Sequence, residues 1–249
     1  MRKIQPVLCL AFLWGALIIT QSCGSDDEEC VPQNCNTGTF NQQTCNCDCP
    51  IGYIGSSCEN FDPNQVQALL DSGVTPLELF NGGIGLDLLY GKIYQDGLIF
   101  YLNTSDGTGM VAASQDQSTA AMWGCFGTDI AGLDNNVTSN PTSPETEEGA
   151  RLGDGTINTD NILADCNENA IAAELCRDLG QDWFLPSREE LSLMYTNLHA
   201  EGHGNFVTAE YHSSSEFDAS SSWYLNFDDG AIESRDRRFD FHVRAARAF

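Results

Sequence analysis

The side chains in this chain with the types and spacing to do chemistry fall in three places. His212-Ser213-Ser214-Ser215-Glu216 sets an imidazole, three hydroxyls and a carboxylate side by side. Acyl transfer by such groups needs a strained nucleophile turn and an oxyanion hole. No Gly-x-Ser-x-Gly is present, so these serines are expected to cap a turn. His199 and His203 stand four apart with Glu201 between them, a spacing that offers two zinc ligands on a helix. Gly202 and Gly204 interrupt that helix, so a solvated loop is expected and no metal is assigned. Trp223, Asn226, Asp228 and Asp229 sit on or beside a hairpin, and Arg235 comes next in a cluster with Arg237 and Arg238. An aromatic ring with carboxylates and an amide suits a sugar, whose C–H face packs on the ring while polar groups fix its hydroxyls. Trp223, Asn226, Asp228, Asp229 and Arg235 are therefore the candidate ligand residues. The competing reading has Trp223 and Phe227 in the core, Asp228-Asp229-Gly230 as a plain turn, and the arginines paired with the acidic surface.

Cys125, Cys166 and Cys176 are odd in number, so one bridge and one buried thiol is the simplest solution. Ten residues of straight helix span about 15 Å, and a bridge needs alpha carbons within about 7 Å. Cys166 and Cys176 flank a helix at that separation, so Cys125 must be a partner. Cys125–Cys166 is favoured, because Cys176 falls on the apolar helix face.

The elements that must position these groups centre on Asp182-Trp183-Phe184-Leu185-Pro186-Ser187 and the helix after it. Ser187 and Glu190 form a capping box, and Leu191, Met194, Tyr195 and Leu198 fall on one helical face. A short buried strand feeding a capped amphipathic helix is expected. Gly97–Leu102 and Gly109–Ala113 read as a hairpin across Asp106-Gly107. Residues 134–159 read as a polar surface loop and Asn167–Leu179 as a helix. Ser221–Phe227 and Ala231–Arg235 make a second hairpin, and Phe241–Phe249 closes the chain as a strand.

Residues 60–91 repeat every ten: Leu69-Leu70, Leu79-Phe80, Leu89-Tyr90, with Gly73-Val74 answered by Gly83-Ile84. Each unit is a short helix stopped by glycine. Asp62-Pro63 supplies a first cap and Thr75-Pro76-Leu77-Glu78 a capping box. Helices this short are not stable alone, so they must pack as a collar joining the cysteine-rich segment before them to the last domain.

The formal net charge is -25 over 249 residues. That balance excludes a general nucleic-acid binder, whose affinity comes from Lys and Arg releasing counterions, and it disfavours sulfated polymers. Arg2 and Lys3 precede an apolar run, Val7–Ile19, too short to span a bilayer comfortably. The pattern is that of a secretory signal over 1–22. Thr20-Gln21-Ser22-Cys23 resembles the lipobox of bacterial lipoproteins, with Thr20 where Leu is usual. The resemblance implies lipidation of Cys23. Gly24-Ser25-Asp26-Asp27-Glu28-Glu29 resembles the surface-export signal of Bacteroidetes lipoproteins. Together these imply an outer-membrane, lipid-anchored, surface-exposed protein with 23–29 as its tether.

Six of the eleven cysteines lie between Cys30 and Cys58, a density that means a disulfide framework and an oxidising compartment. Spacing alone leaves fifteen pairings open. Cys47-Asp48-Cys49-Pro50-Ile51-Gly52-Tyr53-Ile54-Gly55-Ser56-Ser57-Cys58 resembles the closing signature of the EGF-like domain. For residues 30–59 the resemblance implies Cys30–Cys45, Cys35–Cys47 and Cys49–Cys58. Calcium-binding members carry acidic ligands before the first cysteine. Asp26–Glu29 stand there, but the partner Asn and aromatic pattern is missing, so no calcium or other cofactor is expected.

Gly97–Leu102, Trp123-Gly124-Cys125, Asn158-Thr159, Asp182–Ser187, Ser213–Glu216 and Val243–Phe249 occur in an order that resembles the C-terminal domain family of the collagen-like adhesin Lcl, over residues 92–249. Tyr211-His212 replaces the family's usual Tyr-Trp. For residues 92–249 the resemblance implies a mixed α+β domain of C-type-lectin-like type, so that with the disulfide-rich module and the helical collar the chain is expected to be α+β overall. The resemblance also implies a non-catalytic binding or adhesion module for a glycan or a surface protein. An enzyme on a formylglycine-generating-enzyme-like fold and a purely structural envelope protein are the alternatives.

Overall fold

The computed structural model describes residues 30–50, 52–133 and 149–249. The signal segment, Cys23, the acidic tether and positions 134–148 lie outside the described residues. The architecture is mixed α+β, with a cysteine-rich N-terminal region leading into helices and two five-stranded sheets.

The cysteine-rich region holds two ladders of two strands, β1 (Thr39–Asn41) with β2 (Asn46–Asp48) and β3 (Tyr53–Ile54) with β4 (Asn60–Phe61). Three bridges close it: Cys30–Cys45, Cys35–Cys47 and Cys49–Cys58, with alpha carbons 5.3, 5.5 and 5.2 Å apart. Cys35 and Cys58 are its buried apolar side chains. So small a unit cannot shelter much apolar surface, and covalent links stand in for a core.

Three short helices come next at close to the ten-residue period: α1 (Gln65–Asp71), α2 (Pro76–Asn81) and α3 (Leu86–Leu89). Thr75 and Glu78 cap α2 reciprocally. The first two helices end alike. Gly73 and Gly83 turn left-handed at φ 98° and 97°, and Val74 and Ile84 donate back to the carbonyls of Leu69 and Leu79 at 3.1 and 3.0 Å. That is a Schellman closure, and it places an apolar residue just past each stop. Asp62 does not cap α1. Its carboxylate accepts from the Asn64 amide at 3.0 Å, and the helix begins two residues further on, because the local Asx turn captures the side chain.

The first large sheet runs β5 (Ile93–Tyr94), β6 (Gly97–Leu102), β7 (Gly109–Ala112), β14 (Ala246–Ala248), β9 (Trp183–Phe184). Both its faces are covered, which is why β6 reads as an unbroken apolar run. Ile99 and Val111 share a core with Val66, Leu69, Leu70, Leu79, Ile84 and Leu89 of the collar. Leu98, Phe100 and Met110 face the other way, onto Leu191, Met194 and Leu198 of α6 (Arg188–Met194) and the π-helical turn Tyr195–His199 that extends it.

The second sheet runs β12 (Ile232–Asp236), β11 (Ser221–Asn226), β10 (Glu210–Asp218), β13 (Asp240–Val243), β8 (Ser118–Met122). The closing segment is therefore two strands, not one. It leaves the second sheet after Val243 and joins the first at Ala246. Arg244 sits at the crossing fully buried, and its guanidinium donates to the carbonyls of Ala113 and Gly204 at 3.0 and 2.8 Å. Ser213–Ser215 likewise lie inside β10, not at a turn.

Two helices depart from expectation. Residues 154–159 are not loop, because α4 spans Asp154–Asp165. Its N-cap Gly153 donates to Glu190 at 2.8 Å, and that carboxylate also closes the Ser187 capping box of α6, accepting from the Ser187 amide at 2.7 Å. One side chain thus begins two helices. The helix expected over 167–179 is shorter, α5 (Ala172–Arg177). Ala170 is left-handed at φ 57° and breaks the run before it.

Candidate functional site

The five candidate ligand residues do not converge. Trp223 is buried on β11, with Phe217 edge-on at 5.1 Å and the Arg188 guanidinium 4.8 Å above its ring. Asn226 and Asp229 close the hairpin: Asn226 accepts from the Asp228 amide and Asp229 from the Ala231 amide, each at 2.9 Å. Arg235 is exposed and lies over Phe239 at 4.4 Å. It pairs across the ladder with Ser222, so it points to the sheet face opposite Trp223. These are core, turn and surface positions of one hairpin.

The His-Ser-Glu run is also taken up by the fold. The Ser213 hydroxyl donates to the Trp223 carbonyl at 2.7 Å and the Ser215 hydroxyl to the Gly149 carbonyl at 2.6 Å. Ser214 accepts from the Asn158 amide at 3.0 Å. His212 is buried against Phe241, its Nε2 2.8 Å from the Ala121 carbonyl, and burial pulls its pKa down to about 4. Glu216 makes a fully buried ion pair with Arg237 at 2.9 Å. Arg237 lies over Trp123 at 4.2 Å and also donates to the Thr128 carbonyl at 3.0 Å. It is a core residue, not part of a basic surface cluster. Burial pushes the Glu216 carboxyl up to about 7 against the attraction of Arg237.

His199 packs on Phe227 at 5.2 Å, whereas His203 and Glu201 line a small recess with Asp87 and Tyr90 of the collar. No group of three or more His, Cys, Asp or Glu among the described residues could hold a metal ion. Cys125 bridges to Cys166, alpha carbons 5.5 Å apart, fastening the segment after β8 to the end of α4. Cys176 is a buried free thiol whose pKa burial pushes up.

A cleft of about 580 Å³ opens elsewhere, at the end of the first sheet. The loop Ala113–Gln117, Asp96 of the β5–β6 turn, Leu175, Asp178 and Leu179 at the end of α5, and Trp183 of β9 line it. Asp116 forms its inner wall. One carboxylate oxygen accepts from Arg244 Nε at 2.7 Å. The other lies 2.8 Å from His242 Nδ1 and accepts from the Tyr211 hydroxyl at 3.1 Å. Burial raises the Tyr211 phenol to about 12. Gln117 is fixed too, its Oε1 accepting from the Ala245 amide and its Nε2 donating to the Gln115 carbonyl. Arg247 lies over Trp183 at 4.7 Å. The wall is thus preorganised, whereas Asp96, Ser114, Gln115, Asp178 and Leu179 stand exposed at the rim.

Sequence reasoning missed this cleft, because its parts come from four separated segments. The available signal was Arg244 and Arg247 inside an otherwise apolar closing stretch, since buried cations require partners. No helix among the described residues is long and apolar enough to cross a membrane. No family model and no curated protein matches the chain.

Proposed function

We propose that the chain is a surface lipoprotein: a lipid on Cys23, an EGF-like spacer, a helical collar, and a C-type-lectin-like head that binds a glycan or a protein of another surface without catalysis. The first–third, second–fourth, fifth–sixth order of the N-terminal bridges supports the EGF-like reading. The observation that carries the binding reading is the cleft of about 580 Å³, a volume within the range of ligand sites. Its inner wall is held rigid by Arg244, His242 and Tyr211 through Asp116. Its rim mixes carboxylates, an amide, a hydroxyl and an apolar strip. That chemistry serves recognition, and the hydroxyls of Ser213 and Ser215 are engaged with backbone carbonyls. The purified chain is expected to retain ligands from a glycan panel or a panel of surface proteins, with loss on Trp183→Ala. Silence across both panels overturns the reading. For the anchor, Cys23→Ser is expected to abolish palmitate labelling and release the protein from membranes.

A further inference from the structure

Resting on that binding reading, we propose that the cleft takes basic side chains with aliphatic stems, lysine or arginine next to a leucine-like residue, from an exposed segment of a partner protein. Two features of the rim carry this. The first is charge. Asp96 and Asp178 are exposed and line the cleft, no Lys or Arg among the described residues lines it, and the chain as a whole carries -25. Asp116 is already matched by Arg244 and the Arg247 guanidinium is stacked on the Trp183 ring without lining the cleft, so the rim itself presents two carboxylates and no cation to a ligand. The second is apolar surface. Leu179 is 48% exposed at the rim, beside Leu175 and Trp183.

A carboxylate edge above an apolar strip fits a side chain that is apolar along its stem and charged at its tip. Lys and Arg are built that way, and they cover apolar surface while keeping the head at a polar partner. A neutral sugar could hydrogen-bond the carboxylates but would bring no opposite charge to them and would leave Leu179 poorly matched. An acidic partner would be repelled. Electrostatic complementarity of this kind also steers encounter and makes the association weaken with salt.

Three capped hexapeptides, titrated into the purified chain, decide the matter: Gly-Arg-Leu-Lys-Leu-Gly, the same with Glu for Arg and Lys, and the same with Gly for both Leu. The readouts are calorimetry and the NMR signal of the Trp183 indole N–H. The first peptide is expected to bind, to move the Trp183 signal, and to weaken as salt is raised. The second is expected not to bind, and the third to bind several-fold more weakly. Asp178→Asn is expected to weaken the first peptide about tenfold, equivalent to about 1.4 kcal/mol, and Leu179→Ala several-fold. Both positions are exposed, so unchanged melting temperatures confirm that the variants fold. Equal binding of the basic and acidic peptides overturns the proposal. So does basic-peptide binding that leaves the Trp183 signal still or survives both substitutions, because that is attraction to the acidic surface at large. A glycan that moves the Trp183 signal where no basic peptide does overturns this proposal and leaves the binding reading intact.

Discussion

The cysteine-rich region and the two-sheet body solve the same problem by opposite means. Residues 30–58 contain three bridges and bury little beyond two of the cysteines themselves. Residues 60–249 carry one bridge and two apolar clusters, threaded by the buried arginines Arg237 and Arg244, which have carboxylate and carbonyl partners. Covalent closure restrains the unfolded chain. The body depends on removing surface from water. The collar belongs with the body on this criterion, since its leucines lie in the same cluster as Ile99, Val111 and Trp123.

Truncation breaks the comparison most directly. Removing residues 60–91 withdraws Val66, Leu69, Leu70, Leu79, Ile84 and Leu89 from the core. At about 1.5–3 kcal/mol for each buried side chain, the gross loss is roughly 10–20 kcal/mol, against a net stability of about 5–15 kcal/mol for a typical domain. A fragment starting at 92 is expected to be unfolded by circular dichroism, and one starting at 60 to fold. If the 92–249 fragment melts cooperatively, the collar is an appendage. Next in size is the buried pair. Glu216→Ala leaves Arg237 charged in a sealed site, at a cost of about 3–5 kcal/mol. Glu216→Leu with Arg237→Met is expected to recover most of that in urea unfolding, because both charges then leave together.

What was readable in the chain tracks how local the determinant is. Ser187 and Glu190, or Thr75 and Glu78, are three residues apart and sit in capping boxes. The collar helices recur at nearly the spacing of their leucines. The interior of the body was less legible. Ser213–Ser215 look polar and therefore surface-like, yet each hydroxyl finds a partner from Trp223, Gly149 or Asn158, and such pairing is invisible until the strands meet. Phe241–Phe249 has the apolar character of one strand, interrupted by Arg244 where the sheets change. The carboxylate that Arg244 meets there, Asp116, is far away in the chain. Trp223 could be read as ligand platform or as core, with core the favoured reading. Only the ladder register, which sends Arg235 to the other face, separates the two.

The pH dependence of stability sharpens the account of the polar interior. His212 has a folded pKa of about 4 because it is buried, against about 6.5 unfolded. Its contribution is complete above 6.5 and is lost as pH falls toward 4, since the unfolded chain then binds the extra proton. The difference is about 3 kcal/mol at about 1.4 kcal/mol per pH unit. Glu190 is raised to about 7 by burial, and its contribution runs the other way, lost as pH rises from about 4.5 through 7. The wild-type curve therefore blends opposite slopes. Comparison with His212→Gln isolates the imidazole: the penalty of that substitution is expected to be larger at pH 7 than at pH 4. A penalty independent of pH would mean that the imidazole does not titrate differently on folding.

The smallest effect tests the helix stops. Gly83 turns left-handed at 97°, and a Cβ there would meet nothing within 4 Å. Gly83→Ala therefore isolates backbone strain, about 1–2 kcal/mol for an L-residue in this region. Gly230, in the β11–β12 turn, is also left-handed at 76°, but a Cβ there would come within 2.6 Å of the Tyr195 ring. Gly230→Ala carries the same strain plus the displacement of a ring that packs on Phe227 at 5.4 Å. It is expected to lower the melting temperature further than Gly83→Ala. Equal losses would mean that Tyr195 yields freely, and that the π-helical turn it opens is held by its own backbone, not by the hairpin beneath it.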